Sequence, residues 1–185
     1  MYPRFSSGSR RRGGHYLATF VSAVMLLAWW LPAAAQGIVV GQVSRVHDGD
    51  TLTIAQHDGE LLVRLAAIDA PEAEQPFGSA SRDSLVGCAL GRTAVVEVLG
   101  SDRHGRTLGI VFAADQDCGL NQLRKGMAWF YRQYAHEQPS RRRIDYAAAE
   151  RLARRQRTGL WADDAPLPPA AWRQQNPRFV APAPR

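Results

Sequence analysis

Short apolar runs separated by turn residues fill the middle of the chain. Gly37 to Arg45 carries Ile38, Val39, Val40 and Val43, with Val46 just beyond, a β-branched run that predicts a strand. Asp48-Gly49-Asp50 interrupts it with turn chemistry. Thr51-Leu52-Thr53-Ile54 and Leu61-Leu62-Val63-Arg64-Leu65 predict two more strands, joined through His57-Asp58-Gly59-Glu60. Asp-Gly between two such runs is among the better local hairpin signals, so the first half reads as a three-stranded meander. Ala70-Pro71 ends the third strand. From Phe77 to Leu90, Ala80, Leu85, Cys88 and Ala89 fall at partly helical spacing, with Gly91 as the stop. Ala94, Val95, Val96 and Val98 predict a fourth strand and Thr107 to Phe112 a fifth, across the polar loop Ser101 to Arg106. A short helix follows from Leu120 to Lys125. A longer one runs from a Ser140 cap to Arg157, with Ile144, Ala148 and Leu152 along one face and Gly159 as its stop.

Five short strands with a helix between the third and fourth is the element order of an OB-fold barrel: α+β, mainly β, with about three helices. Such barrels bind nucleic acids and oligosaccharides on an open face, but fold alone does not settle function. The flanks differ from this middle. A basic stretch (Arg10-Arg11-Arg12) precedes an apolar run from Leu17 to Leu31, then Pro32 and Ala33-Ala34-Ala35. That order reads as an export signal cut before Gln36 or Gly37; an uncleaved anchor is the rival, because the run approaches spanning length. The tail from Ala162 to Arg185 holds Pro166, Pro168, Pro169, Pro177, Pro182 and Pro184, a composition that suits an extended or disordered segment. The expected division is therefore 1–36 signal, 37–161 domain and 162–185 tail. The expected product is periplasmic or secreted and monomeric. It is free of stable membrane association once the signal is removed.

With 185 residues and 45% hydrophobic content, the chain can bury one real core. Its formal charge of +6 is unevenly placed. The first 36 residues hold four arginines and no acid, which leaves 19 basic against 17 acidic residues, a net of +2, in the remainder. Bulk charge is thus weak evidence for a polyanion partner, and the case must rest on local placement. Cys88 and Cys118 both lie in the exported part, where a bridge is plausible and two buried thiols are the alternative.

Three segments concentrate charge where a fold would not ask for it: His47 to Thr51, Arg64 to Glu72, and Asp102 to Arg106. Strand alternation sends Val63 and Leu65 to one face and Arg64 to the other. Asp69 and Glu72 lie just past that strand, with Pro71 fixing the backbone between them, and Asp50 begins the neighbouring strand. Two carboxylates held together repel unless a cation joins them, and hard oxygen donors suit Ca²⁺ or Mg²⁺. Two arginines and a divalent cation beside a third carboxylate could stabilise the charge that builds on a phosphodiester under attack. Each feature has a plainer reading as a turn, a solvated loop or a structural ion pair. His47 has no second histidine at ligand spacing and reads as non-catalytic.

In combination these segments resemble the staphylococcal nuclease-like (thermonuclease) family from about Val43 to Trp161. The matching stretches are Asp48-Gly49-Asp50-Thr51, Val63-Arg64-Leu65, Ile68-Asp69-Ala70-Pro71-Glu72, Gln75-Pro76-Phe77-Gly78 and Asp102-Arg103-His104-Gly105-Arg106. Gly126-Met127-Ala128-Trp129 and Gly159-Leu160-Trp161 match as well. The resemblance implies an OB-fold and Ca²⁺-dependent hydrolysis of DNA and RNA, leaving 3′-phosphate ends. It implies that Asp50, Asp69 and the carbonyl of Ala70 bind calcium, that Glu72 is the general base, and that Arg64 and Arg106 hold the phosphate and stabilise its transition state. Tyr131 matches a tyrosine of the nucleotide pocket. His104 stands where a tyrosine is common, and Ala70 where the founding member has threonine. The alternative reading is a non-catalytic OB module that binds nucleic acid; such modules typically lose the acidic and arginine set that this chain keeps. The arginines at 141–143, 151, 154, 155 and 157 read as either a polyanion footprint or, preferentially, the solvated face of the last helix. Trp129, Trp161 and Trp172 read as packing residues.

Overall fold

The computed structural model describes residues 37–177; the expected export signal, 1–36, lies outside the described residues, as do 178–185. In chain order the elements are β1 (Ile38–Val46), β2 (Thr51–Gln56), β3 (Gly59–Leu65), β4 (Ile68–Asp69), α1 (Gly78–Ala89), β5 (Thr93–Ser101), β6 (Thr107–Ala113), β7 (Gln116–Asp117), α2 (Cys118–Arg124), β8 (Trp129–Phe130), α3 (Ser140–Arg155) and α4 (Pro169–Gln175). Among the described residues no helix is long and apolar enough to cross a membrane.

The main sheet runs β3-β2-β1-β5-β6-β7 through antiparallel pairs. It closes where β3 lies parallel to β6, from Val63 opposite Thr107 to Leu65 opposite Gly109. Five long strands thus form a barrel with α1 between the third and fourth of them, an OB-fold. Alternation fills its interior with Val43, Leu52, Ile54, Val63, Leu65, Val96 and Val111, all buried. Burying each such side chain contributes about 1.5–3 kcal/mol. Cys88 on α1 and Cys118 on α2 are joined by a disulfide across a sequence separation of 30. On the chain-entropy model, closing such a loop is worth about 3–4 kcal/mol. Asp117 caps α2 by accepting the Leu120 N–H at 2.9 Å, and the Tyr146 hydroxyl donates to the same oxygen at 2.8 Å, tying α3 to that cap.

Two expectations change. The buried side of α3 is Tyr146, Ala149, Glu150 and Ala153, packed toward α2 and β8, whereas Ile144 (66% exposed) and Leu152 (45%) face outward. Small alanines allow close approach there, and a buried acid holds it, so apolar size misidentified the face. Ser140 is the first helical residue, not its cap; its hydroxyl accepts from Arg143 instead. The second change lies in the C-terminal segment. Where composition suggested an extended chain, Pro168 and Pro169 start α4, proline being suited to a first helical turn. Trp172 of this helix is buried.

Candidate active site

Arg64 stands opposite Thr51 in the β2–β3 hairpin, so Asp50 lies at the hairpin's end, its carbonyl accepting the Leu65 N–H at 2.7 Å. Val63 and Leu65 turn into the core and leave Arg64 on the other face. The chain then reverses through Ala67, a non-glycine residue at φ 58°, into β4. Pairing of β4 with β8, Asp69 opposite Trp129, brings Asp69 back beside Arg64. A left-handed non-glycine residue costs energy and persists only where its surroundings demand it.

The guanidinium of Arg64 forks between two acids. Nη1 donates to Asp50 Oδ1, while Nη2 reaches Asp69 Oδ1 at 3.1 Å and the Ile68 carbonyl at 3.2 Å. Asp50 also accepts from the Thr51 hydroxyl and, through Oδ2, from the Ala70 N–H, both at 2.9 Å. Asp50 and Asp69 are buried. Gly49 is required by contact: a Cβ there would sit 1.9 Å from Ser81 Oγ and 2.7 Å from Ala70 Cβ. Buried Gln122 secures this turn by donating to the Gly49 carbonyl at 2.7 Å and to Ser81 O at 2.9 Å.

Acid outweighs base here. Asp48 accepts the Asp50 N–H at 2.8 Å; its burial, with the Asp50 charge beside it, pushes its carboxyl up to about 7. Asp69 is raised too, by burial first and Asp50 second, although Arg64 and Arg173 pull it back. Burial alone would lower the Arg64 pKa, but Asp50 and Asp69 outweigh burial and hold the guanidinium charged. A hard divalent cation fits such a pocket. Its donors are all oxygens, and an ionised carboxylate offers about four lone pairs, of which Asp50 uses three and Asp69 two. Among the described residues no three acidic, histidine or cysteine side chains form a ready metal cluster. A cation here would therefore combine two carboxylates with carbonyl or water oxygens.

Glu72 joins this cluster through a residue that sequence reading missed. Arg173 on α4 donates to Glu72 Oε1 at 2.5 Å and reaches Asp69 Oδ2 at 3.5 Å. The only local signal was a proline pair followed by Ala170-Ala171-Trp172-Arg173, a helix start hidden in a proline-rich segment. Asp48 is visible in its motif, but nothing local in the sequence marks it as part of the site.

The other expected site residues lie further out. Arg106 directly precedes β6, the strand beside β3, and its guanidinium is held by Asp102 Oδ2 at 2.7 Å. His104 is exposed at the tip of the same loop, 3.0 Å from Arg103 Nε. Tyr131 follows β8; its N–H bonds the Ala67 carbonyl at 2.8 Å and its ring leans on Tyr134. His47 contacts the Thr53 hydroxyl at 2.7 Å. Several arginines of the C-terminal run are structural: Arg142 pairs with Glu97 and covers Phe112, Arg154 stacks on Trp161, and Arg157 holds Asp164. Trp129 and Trp161 are buried against each other, edge to face.

Comparison with known proteins gives this geometry a context. Residues 62–163 match the model of the staphylococcal nuclease homologue family. A micrococcal nuclease of Shigella flexneri is 38% identical over 165 residues, covering 84% of this chain and 91% of its own. A protein of Haemophilus influenzae named as an uncharacterized endonuclease is 35% identical over 157 residues, 84% of this chain and 85% of its own. A staphylococcal-like nuclease of Arabidopsis thaliana is 35% identical over 114 residues, 62% of this chain and 33% of its own. With more than half its length matched by the family model and its Arg64, Asp69 and Glu72 inside the matched span, the chain belongs to the staphylococcal nuclease homologue family.

Proposed function

We propose that this chain is a calcium-dependent nuclease that hydrolyses phosphodiester bonds of DNA, RNA or both and leaves 3′-phosphate ends. That it is a hydrolase of the nuclease class follows from its family. The observation that carries the finer reading is the buried Arg64 fork between Asp50 and Asp69, with Glu72 tied to the same cluster.

In this mechanism Asp50, Asp69 and the Ala70 carbonyl would hold the cation. Bound calcium would supply positive charge next to the phosphate. Glu72 takes a proton from the attacking water. Arg64 and Arg106 donate their remaining N–H groups to the non-bridging oxygens, whose charge grows as the water oxygen bonds to phosphorus. The P–O5′ bond breaks, the departing 5′-oxygen takes up a proton from water to become a hydroxyl, and the phosphate stays on the 3′ side. Tyr131 and His104 would contact the nucleotide. The Cys88–Cys118 bond is in keeping with export to an oxidising compartment.

The test is incubation of the purified protein with plasmid DNA and with RNA, first in calcium and then in excess EGTA. Degradation in calcium that stops in EGTA is the expected result. A gel shift without degradation would replace it with the binding-only reading. Arg64→Ala and Arg106→Ala should each lower turnover by about 10²-fold or more, the scale of losing one donor to developing charge.

A further inference from the structure

Helix α4 lies past residue 163, where the family match ends, yet it reaches the site. Two contacts tie Glu72 to this C-terminal segment. Arg173 holds the side chain at Oε1, at 2.5 Å. Gln75 holds the backbone: its Oε1 accepts the Glu72 N–H at 3.2 Å, while its Nε2 donates to the Leu167 carbonyl at 2.6 Å. Gln75 is buried, and so is Trp172, which lines one cavity with Phe77, Trp129 and Leu160. The loop between is tightly drawn: a Cβ on Gly78 would meet the Glu72 carbonyl at 2.1 Å. Glu72 itself is partly open to solvent, with three rotatable side-chain bonds that neither loop nor barrel fixes. A base must be held within about 0.5 Å of its productive position to act efficiently.

We propose that Arg173 is a positioning residue for Glu72, and that the strap from Leu167 to Arg173 is part of the hydrolytic unit. The inference rests on the reading of Glu72 as general base. The guanidinium engages Oε1 and, by also reaching Asp69, fixes the rotation of the carboxylate. The second oxygen is left to take the proton from water. An ammonium group could make one of these contacts but not the fork.

The experiment uses the full chain with calcium and an internally quenched DNA oligonucleotide, comparing the parent with Arg173→Ala, Arg173→Lys, Glu72→Gln and Glu72→Asp. Arg173→Ala should lower kcat by about 10- to 100-fold, the scale of a misplaced catalytic group, with KM changed by less than about threefold. Arg173→Lys should recover part of the loss. In the Glu72→Asp background, whose carboxylate is withdrawn by one methylene, removing Arg173 should cost less than about twofold more. Circular dichroism melting of each variant separates loss of fold from loss of turnover. A rise in kcat on Arg173→Ala, or half-maximal activity at lower calcium with kcat unchanged, would overturn the proposal and mark the guanidinium as an obstruction. An equal loss in both backgrounds would overturn it as well, since Arg173 would then act independently of Glu72. If Glu72→Gln cuts as fast as the parent, the base assignment itself fails, a separate result from a silent Arg173→Ala.

Discussion

Strand β8 lies beside two sites built on buried carboxylates, and their charge balances are opposite. On one side Glu150, 1% exposed, accepts the Phe130 N–H at 3.1 Å, Arg154 at 3.2 Å and Arg132 at 2.8 Å. One acid there meets two guanidiniums and a backbone donor, and Arg154 is further packed 3.7 Å over the Trp161 ring. At the other, Trp129 pairs with Asp69, where Asp48, Asp50, Asp69 and Glu72 share Arg64 and Arg173. Burial and the Asp50 charge raise Asp48 and Asp69. A buried charge is therefore a poor marker of a site by itself, because Glu150 is an ordinary brace between α3 and β8. An unmatched excess of one sign is the better marker: it costs stability unless something of opposite charge is bound.

The sharpest way to break this contrast is to neutralise one acid in each cluster. Glu72→Gln is expected to lower turnover by roughly 10²- to 10⁴-fold, the range of a lost general base, with its melting temperature nearly unchanged. Glu150→Ala is expected to do the reverse. It strands the Phe130 N–H and two arginines, both of them half-exposed, at a cost of about 2–4 kcal/mol in urea unfolding, while kcat per folded molecule stays near the parent value. Loss of turnover without loss of stability in Glu150→Ala would erase the distinction.

A smaller effect should appear on adding metal. A ligand that binds only the folded state stabilises it by about 2.7 kcal/mol at a hundredfold excess over Kd. Calcium should therefore raise the melting temperature of the parent and of Glu150→Ala, the latter from a lower baseline. The shift should vanish in Asp50→Asn and Asp69→Asn. A calcium shift that survives both substitutions would place the cation elsewhere.

Much of this was legible in the chain because the signals were local. Val63-Arg64-Leu65 alternates faces whatever its partners, Asp58-Gly59 makes a hairpin by itself, and the helix from Phe77 to Leu90 needs only its own spacing and Gly91. Asp50, Arg64 and Asp69 come together because two adjacent turns return the chain to one place. What could not be read depended on distant partners. The buried face of α3 follows from Glu150 meeting a backbone N–H and two arginines, so the usual preference for large apolar residues inside pointed to Ile144 and Leu152, which are exposed. Arg173 reaches Glu72 across 101 positions, and no periodicity in a proline-rich segment encodes that distance. Arg106 reads from the sequence as the last residue of the loop before a strand, and it does directly precede β6, but its hold by Asp102 could be seen only with the loop folded.

The mildest effect concerns pH, and its sign follows from the raised acids. With no divalent cation present, folded Asp48 keeps its proton up to about 7, whereas in the unfolded chain it releases it near the ordinary value of 3.8. Between those limits the folded state binds more protons, so this group's contribution to stability is full below 3.8, falls as pH rises, and is gone above about 7. Asp69, raised for the same reasons, adds to the slope in the same direction. Asp48→Asn removes the titrating group but keeps an oxygen to accept the Asp50 N–H. In EDTA the variant should therefore show a shallower decline in melting temperature from pH 4 to pH 8 than the parent, and should be the more stable of the two at pH 8. Saturating calcium should shrink that difference, since a cation neutralises what the asparagine removes. Glu150→Ala should leave the difference between parent and Asp48→Asn untouched, because the brace on the other side of β8 has no surplus charge to relieve.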